Sequence, residues 1–473
     1  MEQFNDIISF INGYLWGWPM IILLLGTHVF LTIRLRFPQR HIFKAIRLSV
    51  SKDKESSGDV SQFAALATAL AATIGTGNIV GVGTAIALGG PGAVFWCWIT
   101  GLLGIATKYG EGLLSIRYRV KSADGTMLGG PMFALEKGLA DKTTGWRRRM
   151  WLLLAMGFAF FTAIATFGIG STVQANAISV LAEDSYGLSP ILTGGAITLL
   201  AAAVILGGVK SIARCCEMIV PVMALLYVVG CIGVMCINSE YLWPAIKLIL
   251  TSAFDPSAAG GGFVGSSVMM VARYGIARGL FSNESGLGSA PLVAASAQTK
   301  NPVRQALVSS SGTFWDTVVI CAMTGIVIVS SIIAYPDINI SDGGVLTKMA
   351  FSKIPYIGEP LLTFGSLTFA FSTILGWSIY GERGLAYLVY RVRGNDVSAR
   401  GMHIALTIYR VIFLLTVFAG AIVGLSVVWN LADLFNALMA IPNLISLLFL
   451  SGVIVKETHR YLWLDNLDRT STY

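Results

Sequence analysis

Apolar residues run along this chain in long stretches parted by short polar segments. Many of the stretches reach the ~20 residues that a helix needs to cross a bilayer. With edges soft by several residues, the pattern predicts eleven spans, at about 14–33, 62–88, 93–116, 150–180, 190–207, 216–237, 261–297, 306–335, 359–389, 404–425 and 429–455. Trp16 and Trp18 suit an interfacial belt at the start of the first. Phe37–Val60 and Ala123–Arg149 are polar enough for loops or surface helices on one face. Tyr241–Ala253, with Trp243-Pro244, reads as an interfacial helix. Tyr335–Pro360 is the longest connection on the opposite face and is placed to cover an outer mouth.

Two predicted spans are interrupted. Within 62–88 lies Ala71-Ala72-Thr73-Ile74-Gly75-Thr76-Gly77-Asn78-Ile79-Val80-Gly81, followed by Gly83. Glycines in a helix interior cost about 1 kcal/mol each against alanine, and Thr76 and Asn78 compete with the backbone for hydrogen bonds. Bare backbone cannot face lipid, so the break must line a cavity or pack on protein. The expectation is unwinding at Gly75–Asn78 to hold a ligand at mid-membrane. Close helix packing through Gly77 and Gly81 as a GxxxG pair is the competing possibility. A dinucleotide site is excluded, because the preceding segment is helical and the next acid, Glu111, lies too far along the chain. The seventh span repeats the interruption, in Arg278-Gly279-Leu280-Phe281-Ser282-Asn283-Glu284-Ser285-Gly286-Leu287-Gly288-Ser289-Ala290-Pro291. With the first span set aside, spans two to six match seven to eleven as five plus five, each set opening on a broken helix. Five being odd, the halves have opposite membrane orientation, an architecture that binds substrate and ions at the repeat interface. The expected divisions are an extra helix and basic loop at 1–61, repeats at 62–240 and 241–460 with a lid at 335–360, and a tail at 461–473.

Composition agrees with this picture. Hydrophobic residues make up 55% of the 473, and charged residues only 12%, against about a quarter in soluble domains. The net charge of +8 is orientation rather than a nucleic-acid footprint. Roughly 26 of the 33 basic residues fall on one side, in connections such as Arg34–Lys54 and Arg117–Arg149, while Lys247, Lys348 and Lys353 lie on the other. The expected topology has the amino terminus outside and the carboxyl terminus cytoplasmic, in a bacterial or archaeal cell membrane. Met1–Phe10 lacks the basic start of a cleavable leader. The six cysteines (Cys97, Cys215, Cys216, Cys231, Cys236, Cys321) lie in or beside apolar runs, where small buried side chains are expected rather than disulfides or metal ligands.

The runs Gly75-Thr76-Gly77-Asn78-Ile79, Leu88-Gly89-Gly90-Pro91-Gly92 with Lys108-Tyr109-Gly110-Glu111, and Gly279 to Pro291 resemble the alanine or glycine:cation symporter family. The likeness covers nearly the whole chain, and Ser285 is a mild departure where many members carry alanine. The resemblance implies an all-α polytopic membrane protein with the five-plus-five inverted-repeat (LeuT-like) transporter fold and one additional N-terminal transmembrane helix. It implies sodium-coupled symport of small neutral amino acids, alanine and glycine, by alternating access. No organic cofactor is expected, and sodium is the coupling ion.

An amino acid arrives as a zwitterion. Free N–H groups and the positive dipole end of the helix starting near Asn78 suit its carboxylate. Carbonyls of the half-helices ending near Gly75 and near Leu280–Ser282 suit the ammonium and sodium. Gly77 would let the backbone approach the ligand. Candidate substrate contacts are Thr76, Gly77, Asn78, Gln174, Phe281, Ser282, Thr373, Trp377 and Phe167. Gln174 is either a carboxylate contact or an interhelical hydrogen-bonding group. Thr373 and Trp377 share a helical face at i, i+4. Resemblance to the wider fold family implies a sodium site made of the Ser372 and Thr373 hydroxyls with the Ala71 and Ile74 carbonyls, the alternative being that the hydroxyls bond back within their own helix. Among membrane-depth charges, Lys108–Glu111 and Arg278–Glu284 are candidate ion pairs. Asp316 and Glu382 have no evident partner, and Glu284 and Asp316 are alternative proton carriers. A proton-coupled transporter is the runner-up. A channel would need repeated filter loops and an enzyme a cluster of catalytic acids or an activated nucleophile; the sequence offers neither.

Overall fold

The computed structural model describes residues 2–471 except 52, 54–55, 123, 256–266, 394–397 and 424–425. Lys52, Lys54, the beginning of the seventh predicted span and the last residues of the tenth lie outside the described residues. The chain runs α1 (Glu2–Leu15), α2 (Trp18–Arg34), α3 (Ile42–Ser49), α4 (Gln62–Thr73), α5 (Val82–Gly89), α6 (Ala93–Arg117), α7 (Pro131–Gly138), α8 (Gly145–Ala165), α9 (Val173–Tyr186), α10 (Pro190–Ile205) and α11 (Gly208–Ile237). It continues through α12 (Leu242–Ser252), α13 (Val268–Asn283), α14 (Pro291–Ala294), α15 (Pro302–Thr313), α16 (Ala322–Ala334) and α17 (Leu346–Phe351). The last four are α18 (Gly358–Arg393), α19 (Ala399–Ile422), α20 (Ser426–Phe449) and α21 (Ser451–Thr458). A single two-stranded ribbon, Val120–Lys121 against Met127–Leu128, is the only paired sheet among the described residues.

Helix starts follow from side-chain caps that satisfy an otherwise orphan N–H. Ser61 accepts from Ala64 N at 3.0 Å to open α4, Asn301 from Arg304 N at 3.1 Å to open α15, and Ser398 from Gly401 N at 3.1 Å to open α19. Among the described residues, seven helical runs are long and apolar enough to cross a membrane: Asn5–Arg34, Gly145–Tyr186, Gly208–Ile237, Pro302–Ala334, Gly358–Val392, Ala399–Ile422 and Val427–Phe449. The pair Gln62–Thr73 and Gly77–Gly89, bent by 53°, makes an eighth when taken together. Two further predicted spans are helical but differ from simple crossings: α10 has 16 residues, and α6, with 25, carries buried Lys108 and Glu111.

Both interruptions are present. α4 ends where Ile74 turns extended (φ −76°, ψ 100°), and the chain re-enters a helix through a wide π-type turn at Gly77–Gly81. α13 ends where Glu284 adopts the left-handed region (φ 52°), and Gly286 (φ 96°) and Gly288 (φ 83°) keep the chain out of helix. The second half of this broken span is shorter than the sequence suggests. α14 is one turn of four residues, after which Gln298 N donates to Val60 O at 2.8 Å, tying this segment to the approach to α4.

α6 lies against α2, α13 and α15, while α18 runs beside α4, α9 and α11. Part of the expected surface segment is core instead. Met132, Phe133, Ala134 and Leu135 of α7 are buried, with the Phe133 ring 5.0 Å from that of Tyr387. α12 leaves Trp243 exposed. α17 and the turn before it cover the first broken helix: Thr347 Oγ1 donates to Ile79 O at 2.8 Å, and a Cβ on Gly83 would collide with the Gly343 carbonyl. On the opposite face, residues 465–471 form a strap. Asn301 Nδ2 donates to Leu467 O (2.7 Å) and Arg469 O (3.0 Å), Ser471 N to Lys300 O (2.7 Å), and Arg304 pairs with both Asp468 (2.8 Å) and Asp53 (2.9 Å).

Candidate functional site

The first interruption is held by its own asparagine. Asn78 Oδ1 accepts the Gly75 N–H at 3.0 Å, replacing a bond the helix loses where it unwinds. α18 reaches this point because Gly376 has no side chain: a Cβ there would lie 2.7 Å from Ala72 Cβ. The approach brings two hydroxyls onto the Ala71 carbonyl, Ser372 Oγ at 3.3 Å and Thr373 Oγ1 at 3.1 Å. Each also bonds Phe369 O at 2.9 Å, so bonding within the helix and convergence on α4 occur together. A Cβ on Gly75 would stand 2.9 Å from Thr373 Oγ1, so a larger residue there would displace that hydroxyl. Gly77 and Gly81 are less confined: their Cβ atoms would meet only Phe281 at 3.7 Å and Arg278 at 3.6 Å, ordinary contacts. Close packing through a GxxxG pair therefore does not account for these glycines. An uncharged cluster of carbonyl and hydroxyl oxygens suits a monovalent cation that must also leave.

Next to it is a cavity lined by α4 and its break (Ala72, Thr73, Gly75, Thr76, Gly77), by Phe281 and Glu284, and by Ile169, Gln174, Thr373, Trp377 and Asn436. It encloses about 30 Å³, space for about two waters. Thr76, Gly77, Gln174, Phe281, Thr373 and Trp377, six of the nine substrate candidates, thus share one space. Trp377 fits because Gly170, in the wide turn Thr166–Thr172, offers no Cβ to collide with it. The same turn leaves Ile169 O to accept from Gln174 Nε2 at 3.2 Å, while Gln174 Oε1 is buried without a partner among the described residues. A vestibule of about 560 Å³ adjoins at Thr76, Gly77 and Phe281 and is walled by Trp16, Arg278, Trp429 and Asp433. Trp16 Nε1 donates to Asp433 O at 3.0 Å.

Three candidates lie outside the cavity lining. Phe167 packs on Tyr409 and Phe413, with ring centroids 5.0 and 6.4 Å away. Asn78 and Ser282 both bond the Asp316 carboxylate, at 2.8 and 2.9 Å. The proposed ion pairs also rearrange. Glu111 does not pair with Lys108: its Oε1 accepts from Gly286 N (2.9 Å), Gly288 N (3.1 Å) and Asn443 Nδ2 (2.7 Å), pinning the second interruption. Lys108 Nζ is buried without a hydrogen bond among the described residues, within the electrostatic reach of Glu111, Glu284 and Asp316. Arg278 does not pair with Glu284 but faces Asp433 across the vestibule, and Glu284 accepts from the Ser289 hydroxyl. Glu382, without a partner in the sequence, is gripped by Arg410 through two bonds of 2.6 and 2.8 Å. Sequence reasoning missed Asn436 and Asn443, although a lone amide in an apolar span is a recognisable signal.

The chain is similar in sequence to known proteins. The family model described as "Sodium:alanine symporter family" matches residues 1–472. The chain belongs to the sodium:alanine symporter family. Among curated members of similar sequence, "Sodium/alanine symporter AgcS" of Methanococcus maripaludis is 46% identical over 463 residues, 97% of each chain. "Probable sodium/glutamine symporter GlnT" of Bacillus subtilis is 35% identical, over 98% of this chain and 91% of that one. In solved structures the fold resembles MhsT in complex with L-phenylalanine, with TM-score 0.53 and 15% identity over 87% of this chain and 99% of that one. It also resembles a Na+-coupled sialic acid symporter in a substrate-bound outward-open state, with TM-score 0.51 and 12% identity over 94% and 86%. These likenesses establish the inverted-repeat, LeuT-like transporter fold. As a member of the sodium:alanine symporter family, the chain is a multi-pass membrane transporter and not an enzyme.

Proposed function

We propose that the protein couples downhill sodium entry to uptake of a small neutral amino acid, alanine or glycine, by alternating access. The observation that carries this reading is the meeting of two hydroxyls with the Ala71 carbonyl beside a small cavity walled by both interrupted helices. Sodium sits among Ala71 O, Ile74 O, Ser372 and Thr373. The substrate carboxylate faces the N–H groups that begin at Thr76 and Gly77, with the Gln174 amide beside it. Trp377 and Phe281 enclose the side chain. The moving units are the repeats 62–240 and 241–460, with 335–360 as an outer lid. The amino terminus lies outside the cell membrane and the basic connections lie inside.

Reconstitution into proteoliposomes tests the reading. Alanine accumulation with an inward sodium gradient, lost when potassium replaces sodium, is the expected result. Proton coupling is the second reading, favoured by Glu284 on the cavity wall; it requires uptake that persists without sodium at a fixed pH gradient.

A further inference from the structure

Asp316 occupies the wide turn Phe314–Cys321 and is 1% exposed. It does not line the cavity, yet both interrupted helices bond to it. Asn78 Nδ2 donates to Oδ1 at 2.8 Å and to the Asp316 carbonyl at 3.2 Å. Ser282 Oγ donates to Oδ2 at 2.9 Å, and Thr317 Oγ1 to the same oxygen at 2.6 Å. From Asn78 the contacts run onward to Gly75 N, to Thr373 against Gly75, and to Ala71 O. From Ser282 they pass to its neighbour Phe281, a wall of the cavity. A carboxylate suits this place because it only accepts and offers about four lone-pair sites, and its bonds are roughly twice as strong as neutral ones.

We propose that Asp316 is a positioning residue for coupled transport. By holding the two interruptions in one register, it lets ion occupancy at the first raise the affinity of a cavity built from both. The inference rests on the sodium-coupled reading above. Binding of radiolabelled L-alanine to the purified full-length protein, with and without saturating sodium, gives a ratio of dissociation constants. A merely structural role lowers the yield and melting temperature of folded protein but leaves this ratio intact.

Asp316→Ala is expected to cut the ratio about tenfold, the fold-change that corresponds to ~1.4 kcal/mol. Asp316→Asn, which keeps an acceptor for only one of the two helices, is expected to fall between Asp316→Ala and the unmodified protein. Asn78→Ala and Ser282→Ala each remove one arm and give the same readout should Asp316→Ala not fold. An unchanged ratio in both of these variants, with a sodium-responsive unmodified protein, overturns the inference alone. Alanine binding by the unmodified protein that ignores sodium overturns the functional reading, and the inference with it.

Discussion

Thr373 carries two duties in one hydroxyl: it bonds its own helix at Phe369 O and reaches the Ala71 carbonyl of another. Only the second distinguishes it from an ordinary threonine in a span. Thr373→Ala is expected to raise the sodium concentration for half-maximal alanine uptake about tenfold, since one lost ligand oxygen is worth about 1–1.5 kcal/mol. Thr373→Ser retains the hydroxyl and should stay near the unmodified value. Glu111 is a structural counterpart. Removing its carboxylate orphans the N–H groups of Gly286 and Gly288 and takes one of the two acceptors of the Asn443 amide, which keeps Gly286 O. At ~1–3 kcal/mol for a buried unsatisfied group, Glu111→Ala should lower thermal stability markedly, whereas Glu111→Gln, which keeps an acceptor oxygen, should lower it far less. Differential scanning fluorimetry of the two variants separates these outcomes.

The broken helices are legible in the sequence because glycine and polar residues weaken a helix inside an apolar run, where no water can satisfy the freed backbone. Gly75 and Asn78 mark one such place, and Glu284 to Gly288 the other. What each side chain touches is less legible. Lys108 and Glu111 stand at a spacing that suggests a local pair, but Glu111 turns to backbone 175 residues away in the chain. Asn78 reads as a ligand group and is instead an internal brace. The segment that holds α7 reads as a polar loop or surface helix, yet Glu136 is bound by the Tyr387 hydroxyl at 2.6 Å inside the core. Long-range partners of this kind leave no trace in periodicity. The end of α13 yields a prediction of its own: Phe281 stands between the cavity and the vestibule. Phe281→Ala should admit larger neutral amino acids, so that leucine or glutamine, weak competitors of alanine uptake in the unmodified protein, compete strongly in the variant.

The two faces of the protein are covered by different segments. One is covered by Gly343 to Phe351 lying on the first broken helix, and the other is tied by Arg304 and Asn301 to the strap 465–471. Asp468 is 89% exposed, so its pairing with Arg304 contributes little by itself. The buried pairing of Arg304 with Asp53 matters more, because removing one partner of a buried pair leaves an uncompensated charge that costs about 3–5 kcal/mol. Arg304→Ala should therefore loosen the cover of this face. The expected result is faster loss of preloaded alanine from proteoliposomes without a sodium gradient, while Lys44→Ala, at the exposed Asp465 pair, should leave that loss unchanged.

One wall of the cavity is an indole. Trp377 is the only tryptophan among its lining residues and is almost wholly shielded from water, so the protein carries a native fluorophore at the place a ligand would fill. Adding alanine together with sodium should shift ultraviolet emission without any attached dye, and Trp377→Phe should abolish that change, leaving the other ten indoles as a constant background.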